Sequence, residues 1–170
     1  MSMPILEPIP IKTKGHPFHI QLWRWITAIR SWKVVENWHY NYNGHEYVIP
    51  KGFVFDGASI PRPLWFLLSP TGLLFIPGLI HDFGYRFTYL WEVDDTAECG
   101  YKKSLVCTKR GPWDVMFHQV SKEVNGTKII SALAHLALMI GGSKAWKDNR
   151  ERDEQDICPN EGKCGCKSGS

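Results

Sequence analysis

Apolar and polar positions change their rhythm several times along this chain of 170 residues. Residues 1–16 carry prolines at positions 4, 8 and 10 and read as an extended arm with little helix potential. From Phe18 to Asp56 the texture is that of β-structure. The run from Trp32 to Tyr42 is rich in aromatic and β-branched residues, and Tyr47-Val48-Ile49 resumes the pattern after Asn43-Gly44. Asn-Gly supplies the positive φ angles of a tight type I′ turn, so the spacing predicts a hairpin there. A short strand over Gly52–Asp56 follows the break at Pro50-Lys51.

After Asp56 the period lengthens. Gly57 to Pro63 reads as a turn, and Leu64–Leu68 as a short helix started near Pro61. Gly72–Phe87 is almost wholly apolar, which predicts a helix buried on all sides, with a possible bend at Pro77. A helix capped by Asp94 or Asp95 is expected to run to about Cys107. Another is expected from Pro112 to Asn125-Gly126, and Thr127 should cap an apolar helix over 128–140 that Gly141-Gly142 ends or kinks. From Lys147 onward the composition turns strongly polar. The predicted organisation is an extended arm over 1–16, a single α+β domain over 17–146, and a flexible, charged, cysteine-containing tail over 147–170. In the domain, a small antiparallel sheet from the first third packs against four to five helices.

Composition narrows this picture without redirecting it. Eight tryptophans favour a folded body, because disordered chains are poor in aromatics. A net charge of +3 and a pI near 8.6, with basic residues scattered, give no strong nucleic-acid or acidic-membrane signal. The longest apolar stretch, Ile129–Gly142, is broken by Ser131 and His135 and is shorter than the roughly 18 residues that a spanning helix needs. The opening residues do not read as a signal peptide, so synthesis in a reducing cytoplasm is expected, and with it reduced cysteines. Cys99 and Cys107 read as ordinary buried thiols. Cys158, Cys164 and Cys166 have no standard zinc spacing and read as part of an exposed tail.

Four polar residues fall where the pattern predicts burial. Asp56 ends a strand, His81 and Asp82 interrupt the apolar helix, and Asp95 opens the element that follows. Such groups are costly inside a protein unless paired. Tyr85 lies one turn beyond His81 and shares its helix face. Two readings stay open. In one, Asp56, His81, Asp82 and Asp95 hold a divalent cation (Zn, Mg or Mn) that activates a water for hydrolysis, with a spare carboxylate as base. In the other, the same groups bond one another and helix ends, clamping strand to helices. Ser59 could be drawn into a nucleophilic triad with His81 and an aspartate. No Gly-x-Ser-x-Gly elbow surrounds it, however, and capping of the short helix that follows is the plainer role. His118 and His135 read as satisfied core histidines.

Pro50–Arg62 with its Asp-Gly-Ala-Ser-Ile-Pro core, Leu79-Ile-His-Asp-Phe-Gly-Tyr85, Asp94-Asp95 and Gly141-Gly-Ser-Lys-Ala-Trp146 occur in that order. Over about residues 30–147 the chain thereby resembles domain-of-unknown-function family 1353, found in tailed phages, prophages and their bacterial hosts. Asp56, Ser59, Pro61, His81, Asp82 and Tyr85 match the family pattern directly. Asp95 aligns with an acid that the family precedes with alanine, where this chain has Asp94. An arginine often found before that acid is replaced here by the Trp91-Glu92 region. The resemblance implies a phage or prophage origin, with virion association and phage or host protein partners as expectations, and it implies no particular activity.

Overall fold

The computed structural model describes residues 3–10, 15, 17–21, 31–55, 74–126, 128–151 and 155–160. Among the described residues, seven strands form two antiparallel sheets. The smaller has the order β1-β2-β5, from Leu6–Pro8 (β1), Trp32–Val34 (β2) and Val54–Phe55 (β5). The larger has the order β3-β4-β6-β7, from Trp38–Tyr42 (β3), His45–Ile49 (β4), Leu90–Val93 (β6) and Tyr101–Ser104 (β7). Three long helices complete the described fold: Phe75–Phe87 (α1), Arg110–Asn125 (α2) and Lys128–Arg150 (α3). Residues 18–21 are helical rather than β.

The mixed α+β class is as the sequence predicts, but one small sheet in the first third is not what forms. The predicted hairpin is present. Tyr42 faces His45 across a two-residue turn in which Asn43 and Gly44 take φ of 52° and 82°. Along β3, Trp38, Tyr40 and Tyr42 are buried while His39 and Asn41 face outward, the period of two that a half-buried strand requires. The hairpin is then extended by β6 and β7, which come from the middle of the chain. Here the helix expected from Asp94 to Cys107 does not form. Asp94 instead accepts from the backbone N–H of Thr96 at 2.9 Å, closing a local turn, and Gly100 takes φ of 79° before β7 pairs with β6. A short polar side chain that bonds its own backbone competes with helix, and the sheet edge offered by β4 settles the contest.

In α1 every residue except Asp82 and Arg86 is buried, as its almost wholly apolar sequence predicts. Pro77 sits in the first turn, where no intrahelical N–H is lost, so it costs the helix little. Around α1 the core is aromatic. Phe53 meets Phe83 edge-on with centroids 5.0 Å apart, and Phe55, Phe75 and Phe87 pack alongside. The α2 helix stops where predicted, with Gly126 in the left-handed region at φ 63°. By contrast, α3 runs through Gly141-Gly142 to Arg150 instead of ending at 140. No described helix is long and apolar enough to cross a membrane. The short helix expected over 64–68 and the cap expected at Thr127 lie outside the described residues.

The end of the chain differs from expectation as well. Residues 155–160, read as part of a solvated tail, pack against the larger sheet, with Cys158 only 8% exposed. Cys99 and Cys158 are both disulfide-bonded, whereas reduced cysteines were expected, and Cys107 is a free thiol.

Candidate functional site

The helix pair α1–α2 brings His81 against a residue that the sequence pattern does not single out, Asp114. His81 Nε2 lies 3.1 Å from Asp114 Oδ1, and the Tyr85 hydroxyl donates to that same oxygen. Arg110 Nε lies 3.1 Å from Asp114 Oδ2, one helical turn away on α2, and Arg110 Nη1 donates to Ser143 Oγ of α3 at 2.8 Å. Three helices thus meet at one carboxylate. His81 and Asp114 are both nearly sealed from solvent, with side chains 6% and 5% exposed.

Two glycines make the approach possible. A Cβ on Gly84 would fall 2.2 Å from the Trp113 ring, so only glycine lets α1 lie directly on α2 at this level. A Cβ on Gly142 would lie 3.0 Å from the Tyr85 hydroxyl and 3.2 Å from Arg110 Nη1, which explains why α3 carries a glycine in mid-helix beside the network. Farther along α3, Arg150 donates to the backbone carbonyls of Tyr85 and Arg86 near the C-terminal end of α1 and stacks on Trp146 at 4.9 Å. Those carbonyls lie in the last turn, where intrahelical donors run out.

Electrostatics follow from this packing. Burial alone would push the His81 imidazole down, but its bonds to Asp114 and Asp82 outweigh burial and raise its pKa above the ordinary 6.5. Burial would likewise push the Asp114 carboxyl up, yet bonds from His81 and Tyr85 and the nearby Arg110 charge hold it below 3.8. Burial and the adjacent carboxylate keep the Tyr85 hydroxyl protonated far above its usual range, so it stays a donor. Both shifts act in the same sense, favouring the imidazolium–carboxylate pair more than the free side chains would.

Asp82 is partly buried, with its Oδ1 3.9 Å from His81 Nδ1. Asp95 is exposed in the loop between β6 and β7, outside the bonded network around His81, while its neighbour Asp94 bonds Thr96 and pairs with Lys102 at 3.2 Å. Asp56 and Ser59 lie outside the described residues. Among the described residues, no group of three or more His, Cys, Asp or Glu side chains could hold a metal ion. Among the described residues, the donors beside His81 that could face a cation are its own Nδ1 and Asp82, two where a protein-held site usually needs three or four. Of the polar groups the sequence did not mark, Asp114 had one legible signal: Arg110 stands four residues earlier, the spacing of a helical ion pair.

The family model described as "Protein of unknown function (DUF1353)" matches residues 32–138, a stretch that contains His81, Tyr85, Arg110 and Asp114. No curated protein and no solved structure matches the chain.

Proposed function

Because this chain belongs to the DUF1353 family, whose model spans more than half its length, we propose a role built on the site itself. The protein is a non-catalytic component of a phage or prophage, acting in virion assembly or host interaction, and its His81–Tyr85–Arg110–Asp114 network is a structural clamp. The observation that carries this reading is the saturation of Asp114. Both carboxylate oxygens are taken by donors from its own helix and from α1, and the pair is shut away from solvent. A group committed on all sides holds elements together well and reacts poorly, because any substrate atom would have to displace an existing partner. The phage or prophage setting rests on the family resemblance.

One feature favours a second reading, a metal-dependent hydrolase. An imidazole held by a carboxylate through one nitrogen, with its other nitrogen near Asp82, is the arrangement found around metal-bound histidines. Asp56 and Asp95 would then have to complete a site for Zn²⁺, Mg²⁺ or Mn²⁺, whose chemistry would be activation of a water. Elemental analysis of the full-length protein, with and without added Zn²⁺, Mg²⁺ or Mn²⁺, separates the two when run beside His81→Ala. The clamp reading expects substoichiometric metal in every sample and a lower melting temperature in the variant. Stoichiometric metal that vanishes in a stably folded His81→Ala protein would replace the clamp with the hydrolase.

A further inference from the structure

The last described segment, residues 155–160, is held to the larger sheet by contacts from one end to the other. Trp91 Nε1 donates to the Ile157 carbonyl at 2.9 Å, and Asn37 Nδ2 donates to the Pro159 carbonyl at 2.6 Å. Asp156 accepts from the Tyr89 hydroxyl at 3.2 Å and pairs with Lys103 at 2.5 Å. Asn160 reaches back to the Cys99 carbonyl at 3.4 Å, in the loop between β6 and β7. Cys158 is buried within the core cluster, and Ile157 packs against it.

These contacts are numerous but individually weak. The Lys103 and Asp156 side chains are 42% and 43% exposed, so water screens their attraction, and the remaining bonds exchange for bonds to solvent on release. Against them stands the conformational freedom of an otherwise irregular segment. A covalent tether changes that balance by keeping the segment at high effective concentration over its seat. Cys158 in the segment and Cys99 in the loop beneath it are both disulfide-bonded, so disulfide chemistry is present on each side of this contact.

We propose that residues 155–160 form a strap over β6 and β7 that is latched by disulfide bonding and released by a dithiol reductant. The step is ordinary thiol–disulfide exchange. A reductant thiolate attacks one sulfur of a protein disulfide, the S–S bond breaks, and one protein thiolate leaves. The second reductant thiol then attacks the mixed disulfide, freeing the other protein sulfur. Two electrons and two protons pass to the protein, giving two thiols, and the reductant ends as its own disulfide. Cys99 is only half-buried and Cys158 is sealed, so exchange is expected to begin at the exposed side of the loop. Release uncovers the Trp91 indole N–H, the Tyr89 hydroxyl and Lys103 together, an aromatic and basic patch on the sheet. The strap stands independently of the reading given to His81.

Hydrogen exchange of the full-length protein tests this after equilibration with oxidised glutathione, before and after dithiothreitol. Exchange at 157–160 should accelerate at least about tenfold on reduction, while α2 keeps its protection. Cys99→Ser, which removes the disulfide that ends in the β6–β7 loop, should show the fast exchange without reductant, and Cys107→Ser, which alters the free thiol, should match the unaltered chain. Equal protection of 157–160 in both redox states overturns the strap. So does loss of protection throughout the domain on reduction, which would make the disulfides global staples. Finding all five cysteines alkylated under denaturing, non-reducing conditions after the oxidised equilibration overturns it too.

Discussion

Asp114 is the residue whose surroundings leave least room for substitution. It balances a raised imidazole and a guanidinium while accepting from a phenol, and each of these donors was oriented by a different constraint. Asp114→Ala would take the carboxylate from Arg110 and leave His81 only Asp82, 3.9 Å away, as a counter-charge. Arg110 is 26% exposed and can recover some hydration, and His81 can shed its proton, so the loss belongs at the lower end for a broken buried pair, about 3 kcal/mol. Tyr85→Phe removes one charge-assisted bond and leaves the ion pair standing, which should cost about 1.5–3 kcal/mol. Urea unfolding of both variants checks the order. A Tyr85→Phe protein less stable than Asp114→Ala would show that the phenol, and not the carboxylate, organises this contact. The residue scale also shows why the sequence revealed only half of the network. His81 and Tyr85 are four apart on one helix and betray each other by spacing. The partner they share lies 33 residues beyond His81, on a helix whose apolar rhythm runs through Trp113, Met116 and Val120 without marking the carboxylate between them.

At the scale of elements, α1 and α2 are held in register by the missing side chain at Gly84. The Trp113 ring opposite is pinned by its own Nε1 bond to the Cys107 carbonyl at 3.0 Å, so it cannot swing aside. Gly84→Ala gains helix propensity of about 1 kcal/mol but must force two packed helices apart. The net loss should be about 3 kcal/mol, the upper range for overpacking. Gly111→Ala is the matched control, because nothing lies within 4 Å of a Cβ there, and it should stabilise by roughly 0.5 kcal/mol. Thermal melts of the pair read both signs, and a neutral Gly84→Ala would mean the helices have slack that the contact denies. Elements specified locally were legible: the Asn43-Gly44 hairpin from its turn, α1 from its almost wholly apolar run. Elements specified from a distance were not. Strand β7 exists because β6 and β4 offer an edge, and α3 passes Gly142 because Tyr85 and Arg110 occupy the space where a side chain would stand.

For the whole molecule the clamp predicts a stability profile with two limbs of opposite sign. The folded pKa of His81 stands above 6.5, so the folded chain binds this proton more tightly than the unfolded one. Its contribution is complete below pH 6.5 and fades as pH climbs through the raised value. The folded pKa of Asp114 stands below 3.8, so its contribution is complete above pH 3.8 and fades as pH falls through the lowered value. Between those bounds both act together, and the maximum of stability should fall there. The acid limb is shared. Asp94 is held at about 2 by its bonds to Thr96 and by Lys102, and Glu92 is held low by bonds from Ser104 and His45. The alkaline limb is therefore the more diagnostic one. Melting temperature should decline from pH 6.5 upward through the range in which His81 loses its proton, with a slope no steeper than about 1.4 kcal/mol per pH unit for one proton. In Asp114→Asn one of the two carboxylates that raise the imidazole is gone and only Asp82 remains, so this decline should become shallower while the acid limb keeps the part owed to Asp94 and Glu92. An alkaline slope equally steep in Asp114→Asn and the unaltered chain would mean that the proton lost above pH 6.5 does not belong to the buried pair. The three helices would then have to be joined at this point by packing alone.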